Sequence, residues 1–237
     1  MDSPYFFETY HDFSSIQLSE QSTHHAIHVL RMRSGDELCI TNGKGMLARC
    51  KIIDIQKKDC RIEVVETQIH EAPTSKLHMA IAFTKKPARI EWFLEKACEV
   101  GIQSIFPLLS ARSEKTHFKK ERFEKILVSA MLQSKQTFLP ILHEPTKLQD
   151  ALKLQVDLRC IAHCETAQER MVLSDCIGNQ KEILILIGPE GDFTSEEIHL
   201  CLQQNCKPVT LGNTRLRTET AGLFACCVFN AQIQHHV

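Results

Sequence analysis

The sequence predicts an α/β protein in two parts, a small β-rich module followed by a larger domain built on a mostly parallel sheet. Three observations carry this. The first seventy residues hold short apolar runs joined by tight turns, the pattern of a small barrel. From Lys76 onward strand-like and helix-like segments alternate. Near the C-terminal end stands an unbroken aliphatic run, Ile183 to Ile187, as expected of a strand covered on both faces. At 237 residues, 43% of them hydrophobic, the chain can bury a substantial core.

Tyr5–Phe7 and Ser15–Leu18 read as short strands, and Glu20–Met32 as a helix with Ala26, Ile27, Val29 and Leu30 on its apolar side. Glu37–Thr41 and Met46–Ile55 read as strands joined by a hairpin turn at Asn42-Gly43-Lys44-Gly45. A second turn at Lys57–Asp59 leads to a strand over Cys60–Thr67, and Glu71–Ser75 is the best linker candidate. The predicted domains are therefore 1–72 and 73–237. In the second, Leu77–Phe83 is a strand and Ile90–Val100 a helix ended by Gly101. Ile105–Leu109 is the next strand, Lys119–Gln136 a long helix, Asp150–Leu154 a short one and Arg159–Cys164 a strand.

The aliphatic run stops at Gly188-Pro189-Glu190-Gly191-Asp192. Thr194-Ser195-Glu196-Glu197 then reads as a capping box that starts a helix. After one short strand comes a second polar loop, Leu211 to Ala221, which also runs into an apolar helix, Leu223–Ile233. Two strand-loop-helix units side by side at the end of a parallel sheet form the usual ligand site of such folds.

Several chemistries are not written in the sequence. Dinucleotide and nucleoside-triphosphate fingerprints are missing, as is a GxSxG elbow. Twelve histidines include His24-His25-His28, but no metal-binding spacing accompanies them, so no metal is expected. Eleven scattered cysteines without a CxxC pair point to reduced thiols in a cytoplasmic protein. No run is long enough for a membrane helix, and no secretory signal opens the chain. Net charge is only -1, yet basic residues gather at Arg31 to Arg61 and at Lys85 to Lys125. Those stretches are either ordinary solvated faces or local phosphate-binding surfaces.

In the two loops, Gly188 to Gly191 offers backbone amides and one carboxylate for an adenine or ribose, or else makes a tight structural turn. Arg215, Arg217 and Glu219 place charge beside a buried strand. That is costly unless the charges pair or bind something. An Arg217–Glu219 ion pair is one reading.

Ile-Gly-Pro-Glu-Gly at 187–191, followed by Leu-Gly-x-x-x-Leu-Arg-Thr-Glu-Thr-Ala at 211–221, resembles the signature of the SPOUT methyltransferases, most of all the RsmE family of 16S ribosomal RNA uridine-N3 methyltransferases. His28-Val29-Leu30-Arg31-Met32 with Gly35-Asp36 is similar to that family's PUA-like barrel. Glu95 to Gly101, Ile105-Phe106-Pro107, Arg112, Gln133-Ser134 and Pro140 are similar to its catalytic domain. The resemblance implies a SPOUT-type α/β domain with a trefoil knot, S-adenosyl-L-methionine as cofactor, a homodimer, and 16S ribosomal RNA or the small ribosomal subunit as substrate.

Carried over by motif, the cofactor site would comprise Ala162, His163, Ile187, Gly188, Glu190, Gly191, Leu211, Gly212, Leu216, Thr220 and Ala221. Arg217 would steady charge developing on the uracil, and Glu219 would orient Arg217 or help remove the N3 proton. Arg31, Arg33 and Lys44, with Lys85, Lys86, Arg89, Arg112 and Lys115, would contact RNA phosphates. Two departures stand out: Asp192 where many relatives have glycine, and Leu132 and Gln136 around Gln133-Ser134 in place of a glutamate and an arginine. The alternatives are an RNA-binding or assembly module without turnover, and a methyltransferase for another RNA base.

Overall fold

The structure is a computed structural model that describes residues 3–9, 16–56, 59–113, 117–165 and 169–234. Two compact units result, one of residues 1–72 with 128–139 and one of 73–127 with 140–237. Residues 128–139, expected in the second domain, go with the first unit.

In the first unit, β1 (Tyr5–Phe7), β2 (Ile16–Gln17), β3 (Glu37–Thr41), β4 (Met46–Ile55) and β5 (Cys60–Ile69) form one sheet in the order β1-β3-β4-β5-β2. Strict alternation along β4 buries Ala48, Cys50 and Ile52 and leaves Arg49, Lys51 and Ile53 outside. The core comprises these residues with Phe6, Leu18, Ala26, Leu38 and Ile40. The expected Glu20–Met32 helix is cut short. Helix α1 (Glu20–His24) passes into a π-helical turn over His25–Val29, and Arg31 at φ 54 ends it.

The hairpin turn at 42–45 is real, and its two glycines are buried. Asn42 accepts hydrogen bonds from Lys44 N (2.9 Å) and Met46 N (3.2 Å). The 137–139 segment then crosses the turn, with Gly45 N donating to Thr137 O and Leu139 N donating to Gly43 O, each at 2.9 Å. A Cβ on Gly45 would lie 2.5 Å from the Phe138 ring, so only glycine admits this crossing.

The second unit is an all-parallel sheet. Its strands are β6 (Lys76–Ile81), β7 (Ser104–Leu109), β8 (Ile141–Leu142), β9 (Thr146–Lys147), β10 (Leu158–Ala162), β11 (Met171–Val172), β12 (Glu182–Ile187) and β13 (Lys207–Thr210). The order is β11-β13-β10-β12-β6-β7-β8, with β9 also paired to β7. Strand β12 thus lies between β6 and β10, in register from Lys76↔Glu182 to Ile81↔Ile187 and from Leu158↔Ile183 to Ala162↔Ile187.

Every residue of Ile183–Ile187 is buried. Leu184 and Leu186 join Ile161, Phe193, Ile198 and Cys201 on one face, beside α4 (Leu148–Ala151) and α6 (Ser195–Gln203). The other helices are α2 (Pro87–Glu99), α3 (Lys120–Gln133), α5 (Leu173–Ile177) and α7 (Thr218–Gln234). Of these, α7 packs on α2, α5, β6 and β12. Gly222 brings α7 close, since a Cβ there would stand 2.6 Å from the Phe93 ring and 2.7 Å from Ile81 Cδ1.

Helix α4 begins two residues before the expected 150–154 segment, and α5, β8, β9 and β11 add to the predicted elements. The turn residues Lys57 and Lys58 lie outside the described residues.

Candidate functional site

Because β10, β12 and β13 run parallel in register, they end together, with Ala162 beside Ile187 and Val209. Three loops therefore leave the same edge of the sheet: His163 onward, Gly188–Asp192 and Leu211–Arg217. Between them lies a cleft of about 1120 Å³.

The Gly188–Asp192 loop is held by its neighbours. Thr218 Oγ1 donates to Gly188 O (3.2 Å), tying the start of α7 to the end of β12. Arg112 donates to Gly191 O (2.7 Å) and, more weakly, to Phe193 O (3.4 Å). The expected capping box is present: Thr194 caps α6 while Glu197 accepts from Thr194 N (3.0 Å) and, with its other oxygen, from Ala111 N (2.7 Å). Asp192 stands at φ 62 with its carboxylate accepting from Cys164 N (2.7 Å) and Phe193 N (2.8 Å).

Arg89, from the first turn of α2, bridges the Gly188–Asp192 loop and the first turn of α7. Its guanidinium donates to Glu190 (2.9 Å) and lies 3.4 Å from Glu219. Glu219 is only 7% exposed, and its Oε2 has no hydrogen-bond partner. The expected Arg217–Glu219 pair is not formed: Arg217 is exposed on the cleft wall, and Glu219 turns inward to Arg89. His163 is 4% exposed, and neither ring nitrogen has a partner. Burial is the main cause that pushes its pKa below the usual 6.5; the Asp192 charge works against that shift, Arg170 with it.

Of the residues expected to hold a cofactor, Ala162, His163, Ile187, Gly188, Glu190, Leu211, Gly212, Leu216 and Ala221 line the cleft, and so does Arg217. Gly191 and Thr220 do not: the Gly191 carbonyl serves Arg112, and Thr220 faces solvent from α7. Lys86 and Arg89, expected on RNA, line the cleft, and Arg112 is engaged in pinning the Gly188–Asp192 loop. Arg31, Arg33, Lys44 and Lys85 are exposed. Lys115 lies outside the described residues, as do His235 and His236.

Arg170 and Thr218 also line the cleft and were not expected there, and so does Asp192, singled out in the sequence only as a departure from the family pattern. Asp192 alone carried a signal, as an acid beside a glycine loop. Among the described residues no group of three or more histidine, cysteine or acidic side chains could hold a metal, and no helix is long and apolar enough to cross a membrane. All eleven cysteines are free thiols.

The arrangement suits a ligand with a polar heterocycle and a charged arm. Backbone groups of three loop starts, two glycines and the unsatisfied His163 ring face one cavity of ligand size.

The model of an RNA methyltransferase domain matches residues 70–230, and that of an RNA methyltransferase PUA domain matches 18–65. The chain is 31% identical to the ribosomal RNA small subunit methyltransferase E of Rickettsia conorii, over 90% of this chain and 88% of that one. It is 27% identical to the enzyme of the same name from Bacillus subtilis, with 93% and 91% covered. Among solved structures, a probable rRNA-methyltransferase from Porphyromonas gingivalis superposes with a TM-score of 0.93 at 34% identity, covering 99% of this chain and 100% of that one. A methyltransferase from Legionella pneumophila, solved with bound S-adenosylmethionine, has a TM-score of 0.85 at 26% identity and covers 98% of each chain.

Proposed function

This chain belongs to the RNA methyltransferase family, and from that premise we propose that it transfers a methyl group from S-adenosyl-L-methionine to N3 of a uridine in 16S ribosomal RNA of the small subunit. The observation that carries this reading is the three-loop cleft at the ends of β10, β12 and β13, with Arg217 exposed on its wall and Glu219 buried behind Arg89.

When bound, the cofactor supplies an electrophilic methyl group on a positively charged sulfur. The residues that would hold it are Ala162, His163, Ile187, Gly188, Glu190, Leu211, Gly212, Leu216 and Ala221. The size of the cleft and the unsatisfied His163 nitrogens fit such a guest. Uridine N3 becomes a nucleophile as its imide proton leaves, so the protein must orient the base and stabilise negative charge on it. Arg217 does the second. Glu219 pairs with Arg89, not with Arg217, and would act on the N3 proton through that guanidinium at the cleft wall.

Phosphates of the RNA meet Arg31, Arg33 and Lys44 of the PUA unit and Lys85 beside the cleft; Lys115 is proposed from the sequence alone. The reading includes a trefoil knot. It is supported by the late insertion of β12 between two earlier strands and by the tether from Thr218 to Gly188. A cytoplasmic homodimer completes it, with the 43% exposed Phe224 on α7 as part of the subunit contact.

Two measurements test the function. Titration calorimetry should show S-adenosylmethionine binding, and ribosomal RNA from a strain lacking the protein should lose N3-methyluridine by mass spectrometry. An unchanged level would remove the assignment.

A further inference from the structure

The cleft carries an excess of positive charge. Lys86, Arg89, Arg170, Arg215 and Arg217 line it, against the carboxylates of Glu190 and Asp192. Glu190 is paired with Arg89 at 2.9 Å. Asp192 is then the lining carboxylate without a cationic partner among the described residues; its oxygens accept only from the backbone N–H groups of Cys164 and Phe193.

That placement is built into the backbone. A residue other than glycine at φ 62 costs on the order of 1 kcal/mol. The side chain offsets the strain by closing on its own loop through Phe193 N and on the neighbouring strand end through Cys164 N. The nearest titratable ring, His163, does not cancel the charge, because burial keeps it neutral around pH 7. Arg170 is occupied at 2.5 Å with His163 O.

We propose that Asp192 is a selectivity residue of this cleft, a fixed negative charge that favours the sulfonium cofactor over its uncharged thioether product. When the methyl carbon–sulfur bond breaks, the bonding pair stays on sulfur and the new bond forms from the N3 pair. The positive charge on sulfur is gone, and the attraction of Asp192 goes with it. Selectivity of this kind limits product inhibition in a cleft otherwise rich in cations. The inference rests on the methyltransferase reading above.

The test is titration calorimetry of the full-length protein, D192N and D192G with S-adenosylmethionine and with S-adenosylhomocysteine, at low and high salt. D192N should lose about tenfold in affinity for S-adenosylmethionine and less than about twofold for S-adenosylhomocysteine. Salt should narrow that gap. D192G, whose backbone suits the left-handed position, should keep its melting temperature, show the same gap, and lose some affinity for both ligands as the latch to Cys164 opens. Equal losses for the two ligands in D192N, or none, would overturn the selectivity role while leaving the methyltransferase reading intact. A wild-type protein that binds neither ligand would overturn both.

Discussion

Arg89 serves two carboxylates, one on the Gly188–Asp192 loop and one on α7, and its side chain is only 21% exposed while doing so. Removing it strands Glu219 in a nearly dry site, where an unpaired charge is costly. Arg89→Ala should therefore destabilise the protein by about 1–3 kcal/mol in a denaturant titration, with turnover falling as well. Arg217→Ala should do the opposite: the residue is exposed, so the melting temperature should hold while methyl transfer to 16S RNA drops by roughly a hundredfold or more. A fully active variant would remove Arg217 from the chemistry. The sequence brought Arg217 and Glu219 to notice because they sit two residues apart. At the start of a helix that spacing separates side chains instead of pairing them, since neighbours on a helix stand three or four residues apart. The true partner lies 130 positions upstream, and no local pattern points to it.

At the level of elements, long periodic segments were legible, whereas of the two-residue strands only β2 was expected. The aliphatic Ile183–Ile187 run, the Thr194–Glu197 cap and the Met46–Ile55 return strand each carry their own signal, in hydrophobic pattern or capping chemistry. Strands β8, β9 and β11 are too short to show any period and exist through their neighbours. Helix α7 illustrates a further limit of pattern reading. Its apolar character was plain, but its close approach to β6 and α2 depends on Gly222. Gly222→Ala should cost about 1–3 kcal/mol despite the higher helix propensity of alanine, because Phe93 and Ile81 must shift. Thr194→Ala should cost about 1 kcal/mol through loss of the cap. Urea titrations of both variants check the ranking.

For the molecule as a whole, the parallel sheet followed from alternation of strand and helix, whereas strand order did not, because it depends on pairings between distant segments. Acid stability is another property of the whole chain. His163 and His143 both have pKa values pushed below the usual 6.5, in each case mainly by burial. Below pH 6.5 the unfolded chain takes up protons at these two sites that the folded protein does not. Stability therefore falls as pH drops through that window toward the folded values, and is independent of these groups above it. A His143→Gln, His163→Gln double variant should show a shallower loss between pH 7 and 5.5 in denaturant titrations; an unchanged slope would exclude both rings as the cause.

The position of β12 also governs when this protein can fold. Its neighbour β6 emerges early during synthesis, yet His78 on β6 meets Glu182 on β12 only after 104 further residues have been made. Until then the centre of the sheet is open, and β6 and β10 present unpaired edges to the cell. Loop closure over such distances is slow, and exposed edges invite association with other chains. Refolding should accordingly be slow and sensitive to protein concentration, and the nascent chain should depend on chaperones until β12 is inserted.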